Sequence, residues 1–123
     1  MTIREAIDRA DRLRPNTHEM RDKLSWLTSM ERLIAEFMNR HENVNVTPPV
    51  YDEGTDDGQK LLLDYEDAEL YVVYLMMKYD FYNGEYDAYN NQAMHYKDEL
   101  DAWKAAYRRE HMPRQLEGGM NLV

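Results

Sequence analysis

Residues 82–91 read YNGEYDAYNN, and the reading of that stretch decides the fold. It sits inside a helix-like aromatic run, yet it holds the first glycine after Gly58 and then an Asn-Asn pair. Such residues either break a helix or are kept inside one for packing. The residues Ala68, Val72, Leu75, Tyr79, Tyr82, Tyr86, Tyr89, Ala93, Tyr96, Leu100, Trp103 and Tyr107 recur at strictly alternating steps of four and three. Two helices joined by a turn would hold that phase only by chance. The periodicity therefore predicts one long C-terminal helix capped by Asp64, continuous or kinked at 83–91, with Gly84 in helix so that a neighbouring element approaches closely. A mid-helix glycine costs about 1 kcal/mol. Burying several rings at about 25 cal/mol per Å² outweighs it. Forty residues of helix span about 60 Å, whereas a compact domain of this size has a radius of gyration of about 14 Å. A continuous helix thus implies an oligomer subunit, and a hairpin opening at Asn90–Asn91 implies a compact bundle.

Upstream, Thr2 and Glu5 form a Thr-x-x-Glu capping box, and Ile3, Ile7, Ala10 and Leu13 line one face of a helix closed by Pro15. Asn16 and Glu19 repeat the cap spacing before a second helix that runs to about Arg40. Its apolar face is wide, with Met20, Leu24, Leu27, Ile34 and Met38 on one stripe and Trp26, Met30, Leu33 and Phe37 beside it, so more than one neighbour packs on it. Residues 43–63 differ: Val44 and Val46 alternate, Pro48 and Pro49 follow, and a Gly/Asp-rich turn precedes Leu61. They read as a short extended or β-hairpin-like insertion. The expected fold is all-α: a helical bundle as a single domain over 1–112, followed by an extended tail over 113–123.

The chain has 123 residues, no cysteine and a net charge of −9. Disulfides and thiolate metal sites are excluded, and electrostatic nucleic-acid binding is disfavoured. No apolar run reaches the length of a membrane span, and the charged start is not a signal peptide. Between Glu42 and Leu70 stand nine acids and only Lys60 as a base, a net of −8. Arginines crowd the first helix (Arg4, Arg9, Arg12, Arg14), and Lys104, Arg108, Arg109 and Arg114 the last. An acidic middle with basic ends suits head-to-tail contact between copies. The loop acids Asp52, Glu53, Asp56 and Asp57 are the expected lumen-facing or inter-subunit patch.

Catalytic patterns are missing. The residues three before His18, His41, His95 and His111 are Pro15, Met38, Gln92 and Arg108, so no Glu-x-x-His di-iron pair exists. His95 and Glu99 read as a surface pair. Residues 53–64 overlay a calcium loop poorly, because Thr55 replaces a carboxylate and Asp64 stands where a bidentate Glu belongs. There is no phosphate loop and no nucleophile elbow, and Ser25 and Ser29, the two serines, both lie in the second helix. The chain reads as a non-enzyme without cofactor or metal. The stripe of Tyr79, Tyr82, Tyr86, Tyr89, Tyr96 and Trp103 reads as core or protein–protein interface, since base-stacking grooves are basic and this helix is acidic.

At NGEYDAYNNQAM (83–94) and AYRREHMP (106–113) the chain resembles small proteins of tailed phages and prophages of Gram-positive bacteria, encoded after the major capsid gene. They are the head-tail connector (adaptor) group of long-tailed phages. The matching residues are Tyr82 to Asn91, Met94, and Arg109 to Pro113; Glu110 departs from the small or neutral residue expected there. The match covers about the second half of the chain, and none of its motifs is catalytic. The resemblance implies a virion neck protein, present in the host cytoplasm during assembly. It implies a ring of about a dozen copies beneath a portal protein, in contact with a tail-terminator or stopper protein, with DNA passing through unbound and no membrane. It also implies that the tail docks on the portal through Leu116, Met120, Leu122 and Val123. The alternatives are another neck, tail-completion or head-decoration protein, or a small acidic regulator or DNA mimic.

Overall fold

The computed structural model describes residues 1–111. In it Gly84 is the C-terminal stop of a helix. Its φ is +73°, the Gly84 N–H bonds Phe81 O at 3.1 Å, and the Glu85 N–H bonds Asp80 O at 2.9 Å. This is a Schellman turn, in which the left-handed residue lets the chain satisfy the last carbonyls of the helix. The long helix expected over 64–107 is therefore two, α3 (Glu69–Tyr82) and α4 (Tyr86–Glu110). A Cβ on Gly84 would meet nothing within 4 Å, so the glycine serves the dihedral and no element approaches there. Asn90 and Asn91 lie inside α4 and open no hairpin. The step from Tyr82 to Tyr86 spans the three-residue connection with a spacing of four, which is why the stripe keeps its phase across a turn.

Two helices precede this pair. Helix α1 (Ile3–Leu13) carries the expected capping box, with Thr2 Oγ1 accepting from Glu5 N and Glu5 Oε1 from Thr2 N. Its Ile3, Ala6, Ile7 and Ala10 are buried, whereas Leu13 is exposed. Helix α2 (Met20–Glu42) runs two residues past the expected end and stops on Asn43 in the left-handed conformation. Asn16 does not cap it: its side chain accepts from His18 N and donates to Asp11. Asp64 does not begin α3 either, because residues 65–68 form turns first.

Helix α3 is the centre. Its Leu70, Tyr71, Val72, Val73, Leu75, Met77, Tyr79 and Asp80 are all buried, the mark of a helix packed on every side. Helix α1 runs parallel to it, tied by Arg9–Glu69 and Arg14–Asp80. Helix α4 folds back antiparallel, and its later turns reach α2, where Trp103 and Tyr107 meet Phe37 with ring centroids 5.3 and 5.7 Å apart. The wide face of α2 is used as expected, Leu24, Leu27, Met30 and Ile34 being buried and Trp26, Leu33, Phe37 and Met38 packing at the margin. Met20 alone of that set stands half exposed.

The β-hairpin-like insertion does not form. Among the described residues there is no strand, only an isolated antiparallel bridge between Thr2 and Lys60. The backbone of 43–63 finds helix side chains instead. Val46 exchanges two hydrogen bonds with the Asn39 amide, the Tyr51 N–H donates to Thr28 Oγ1 at 2.9 Å, and the Leu62 N–H donates to Glu31. Prolines 48 and 49 remove two donors that a ladder would need.

Candidate functional site

The aromatic stripe divides once the chain turns at Gly84. Tyr79 is fully buried, stacked on His18 and donating through Oη to Asp11 at 2.8 Å. Burial, then the Asp11 bond, raises its pKa. Tyr96 packs on Tyr74 with centroids 5.3 Å apart and points its hydroxyl at Met30 Sδ; burial pushes its pKa up to about 12. Trp103 is buried against Phe37. Tyr79 and Trp103 are core, and Tyr96, partly buried, packs against it. Tyr82 and Tyr86, by contrast, are exposed, and Phe81 joins them. Phe81 contacts Tyr82, Tyr86 and Tyr89 at centroid distances of 5.0, 6.2 and 5.2 Å, and the Tyr82 ring stacks on Trp26 at 5.4 Å. Met94, 68% exposed, stands two turns further along α4. The corner between α3 and α4 thus presents an aromatic cluster to solvent, an arrangement typical of protein interfaces.

The acidic loop has a different character. Asp52 Oδ1 and Asp56 Oδ1 accept from the N–H groups two residues on, Gly54 and Gly58, each at 2.9 Å, so these carboxylates shape the loop itself. Asp57 pairs with Arg4 across an exposed gap. Glu53 makes no ion pair or side-chain hydrogen bond among the described residues. Part of the charge that suits contact between copies is therefore neutralised inside one chain, by Arg4 here and by Arg9 on Glu69.

Behind the loop lies a group that the sequence reading passed over. Glu31 is wholly buried on α2. Its Oε2 accepts from Tyr51 Oη at 2.5 Å and Leu62 N at 2.9 Å, and its Oε1 from Tyr71 Oη. Tyr71 Oη in turn accepts from Leu63 N at 3.0 Å. One carboxylate thereby fastens both ends of the 51–63 segment to α2 and α3. Burial raises its pKa, and the three donors offset this only in part. The same burial raises the pKa of Tyr51 and Tyr71. A signal existed: between Leu27 and Ile34 the α2 stripe skips a full seven residues, and Glu31 occupies the missing position.

A second buried polar group joins α1, α2 and α3. Lys23 Nζ bonds both oxygens of Asp11 at 3.0 Å, and Arg14 bonds both oxygens of buried Asp80 at 2.6 Å. Burial would raise the pKa of Asp11, but the bonds from Asn16, Lys23 and Tyr79 outweigh it and hold the pKa low. At the far end of α4, His41 Nε2 donates to His111 O at 2.9 Å, Tyr107 Oη donates to Glu42, and Arg108 and Lys104 lie over the Phe37 ring. His95 and Glu99 face each other at 3.9 Å on the surface, as expected. The tail residues Leu116, Met120, Leu122 and Val123 lie outside the described residues. Compared with known proteins, the chain matches no family model, no curated protein and no solved structure. Among the described residues no helix is long and apolar enough to cross a membrane.

Proposed function

We propose that the chain is a head-tail connector subunit of a long-tailed phage or prophage. About a dozen copies would form a ring beneath a portal protein, meet a stopper or tail-terminator protein on the other side, and let DNA pass without gripping it. The observation that supports this reading is one of place. The stretch that resembles the connector group, Tyr82 to Asn91 with Met94, is the stretch that leaves Tyr82, Tyr86 and Met94 on the surface. An aromatic cluster outside a small core suits burial by a neighbouring protein. The acidic loop suits a lumen crossed by a polyanion or a basic face of the next copy, and the tail would add to the portal. A DNA mimic is less well served, because Asp57, Glu69 and Asp80 are already paired with arginines of the same chain.

The test is co-expression with a portal protein from the same genome, followed by native mass spectrometry and electron microscopy. Portal-bound rings that are lost when Tyr82 and Tyr86 become serine would support the reading. A monomer that ignores the portal would overturn it. Binding to tail tubes or to the outer capsid would move the protein to the tail-completion or head-decoration class.

A further inference from the structure

Between α1, the start of α2 and the acidic loop lies an open groove of about 280 Å³. Its floor is apolar: Ile3, Ile7 and Leu24 are almost fully buried, and Met20 stands over them half exposed. Its rim is not, holding Asp8, Asp52, Glu53 and Asp57 against the single cation Arg4. Arg4 is already engaged by Asp57, and Asp52 uses Oδ1 on the Gly54 N–H. Among the described residues Asp8 and Glu53 have no ion pair and no side-chain hydrogen bond. An apolar floor under an acidic rim matches one kind of side chain, a long aliphatic stem ending in a cation.

We propose that this groove is a docking site for an arginine or lysine side chain of a basic partner protein. The stem lies on Ile3, Ile7, Leu24 and the adaptable thioether of Met20, and the charged head sits between Asp8 and Glu53. A partner other than a second copy is favoured by charge. Each copy brings a net −9, so at equal local fit a basic protein is drawn to the groove more strongly than a second copy, whose overall charge offsets its local basic patches.

The full chain, labelled with nitrogen-15, is titrated with the blocked peptide Gly-Gly-Arg-Gly-Gly and followed by amide resonances. The expected result is saturable shifts confined to residues 3–8, 20–24 and 52–57, weakened by salt. The citrulline peptide, equal in shape and uncharged, binds several times more weakly. Asp8→Asn and Glu53→Gln each reduce affinity by about three- to fivefold, the scale of one exposed ion pair, with unchanged spectra elsewhere. Met20→Ser weakens the arginine and citrulline peptides alike, because it removes floor and not charge. Absence of shifts in the groove, or equal binding of the citrulline peptide, overturns the proposal. Concentration-dependent shifts of the same amides without peptide also overturn it, since they make a second copy the occupant.

Discussion

At its two ends α3 buries acids in opposite ways. Near its first turn Glu31 is enclosed with three hydrogen-bond donors and no cation. Near its last turn Asp80 holds Arg14 and Asp11 holds Lys23. A carboxylate served only by neutral donors keeps much of its desolvation penalty, and its pKa rises. One served by a cation and further donors drops, as Asp11 does. The difference matches what each end does. The Glu31 end closes the 51–63 segment, which makes no ladder of its own. The Asp80 end leads into the Schellman turn and the exposed aromatic corner, where charged groups can remain partly wet.

Removing Glu31 should produce the largest change. Glu31→Ala orphans Tyr51, Tyr71 and the Leu62 N–H together, a loss of about 4 kcal/mol in urea unfolding. A loss below 1 kcal/mol would mean that water replaces the carboxylate and that the node is no latch. Asp80→Ala should cost less, about 2 kcal/mol, because Arg14 is 32% exposed and can turn to solvent. Equal losses at the two ends would erase the contrast.

Titration sharpens it. Because folding raises the Glu31 pKa above its ordinary 4.5, the stability this group gives is full below 4.5 and is lost as pH rises through the folded value. Asp11 acts with the opposite sign: its contribution is present above its ordinary 3.8 and lost as pH falls through the lowered folded value. Urea midpoints of Glu31→Gln should therefore lack the decline shown by the parent as pH rises above 4.5, and keep the acid-side decline. Parallel profiles for the two proteins would defeat this assignment.

Smaller effects belong to the corner. Gly84→Ala should cost about 1 kcal/mol from the left-handed dihedral alone, and heteronuclear spectra should place the change at 81–86 only. Tyr86→Ser should stay within about 0.5 kcal/mol with unaltered helical circular dichroism, since its ring lies on the surface. A loss above 2 kcal/mol would show that Tyr86 is part of the core after all.

Much of this fold was legible. The capping box at Thr2, the apolar faces of α1 and α2, and the helical character of both sides of Gly84 follow from local spacing, which is a property of single segments. Continuity was not legible in that way. Phase across a turn depends on the length of the connection, and Asn83-Gly84-Glu85 happens to supply one step of the pattern. The Asn-Gly pair was the better witness, because a positive φ is a requirement that glycine meets and most residues do not. For the 43–63 segment, alternation suggested strands, but Asn39, Thr28 and Glu31 were distant in sequence and satisfied its backbone first. The candidate site was half visible. Aromatic spacing marked Tyr82 and Tyr86, while the partition of the stripe into core and surface needed the reversal at Gly84. The groove was hidden because its floor comes from α1 and α2 and its rim from α1 and the loop.

The start of the chain has its bonding partners far downstream. Ile3 N donates to Gln59 O, Leu61 N to Met1 O, and Arg4 N to Asp57 O, and the face made by Ile3, Ala6, Ile7 and Ala10 is covered by elements up to α3. On a ribosome adding about 5–20 residues per second, the last of those partners, the end of α3, emerges on the order of 3–14 s after α1. For that interval an eleven-residue helix, too short to persist alone in water, offers its apolar side to any chaperone near the exit tunnel. Synthesis speed between codons 14 and 82 thus sets how long α1 waits for its partners.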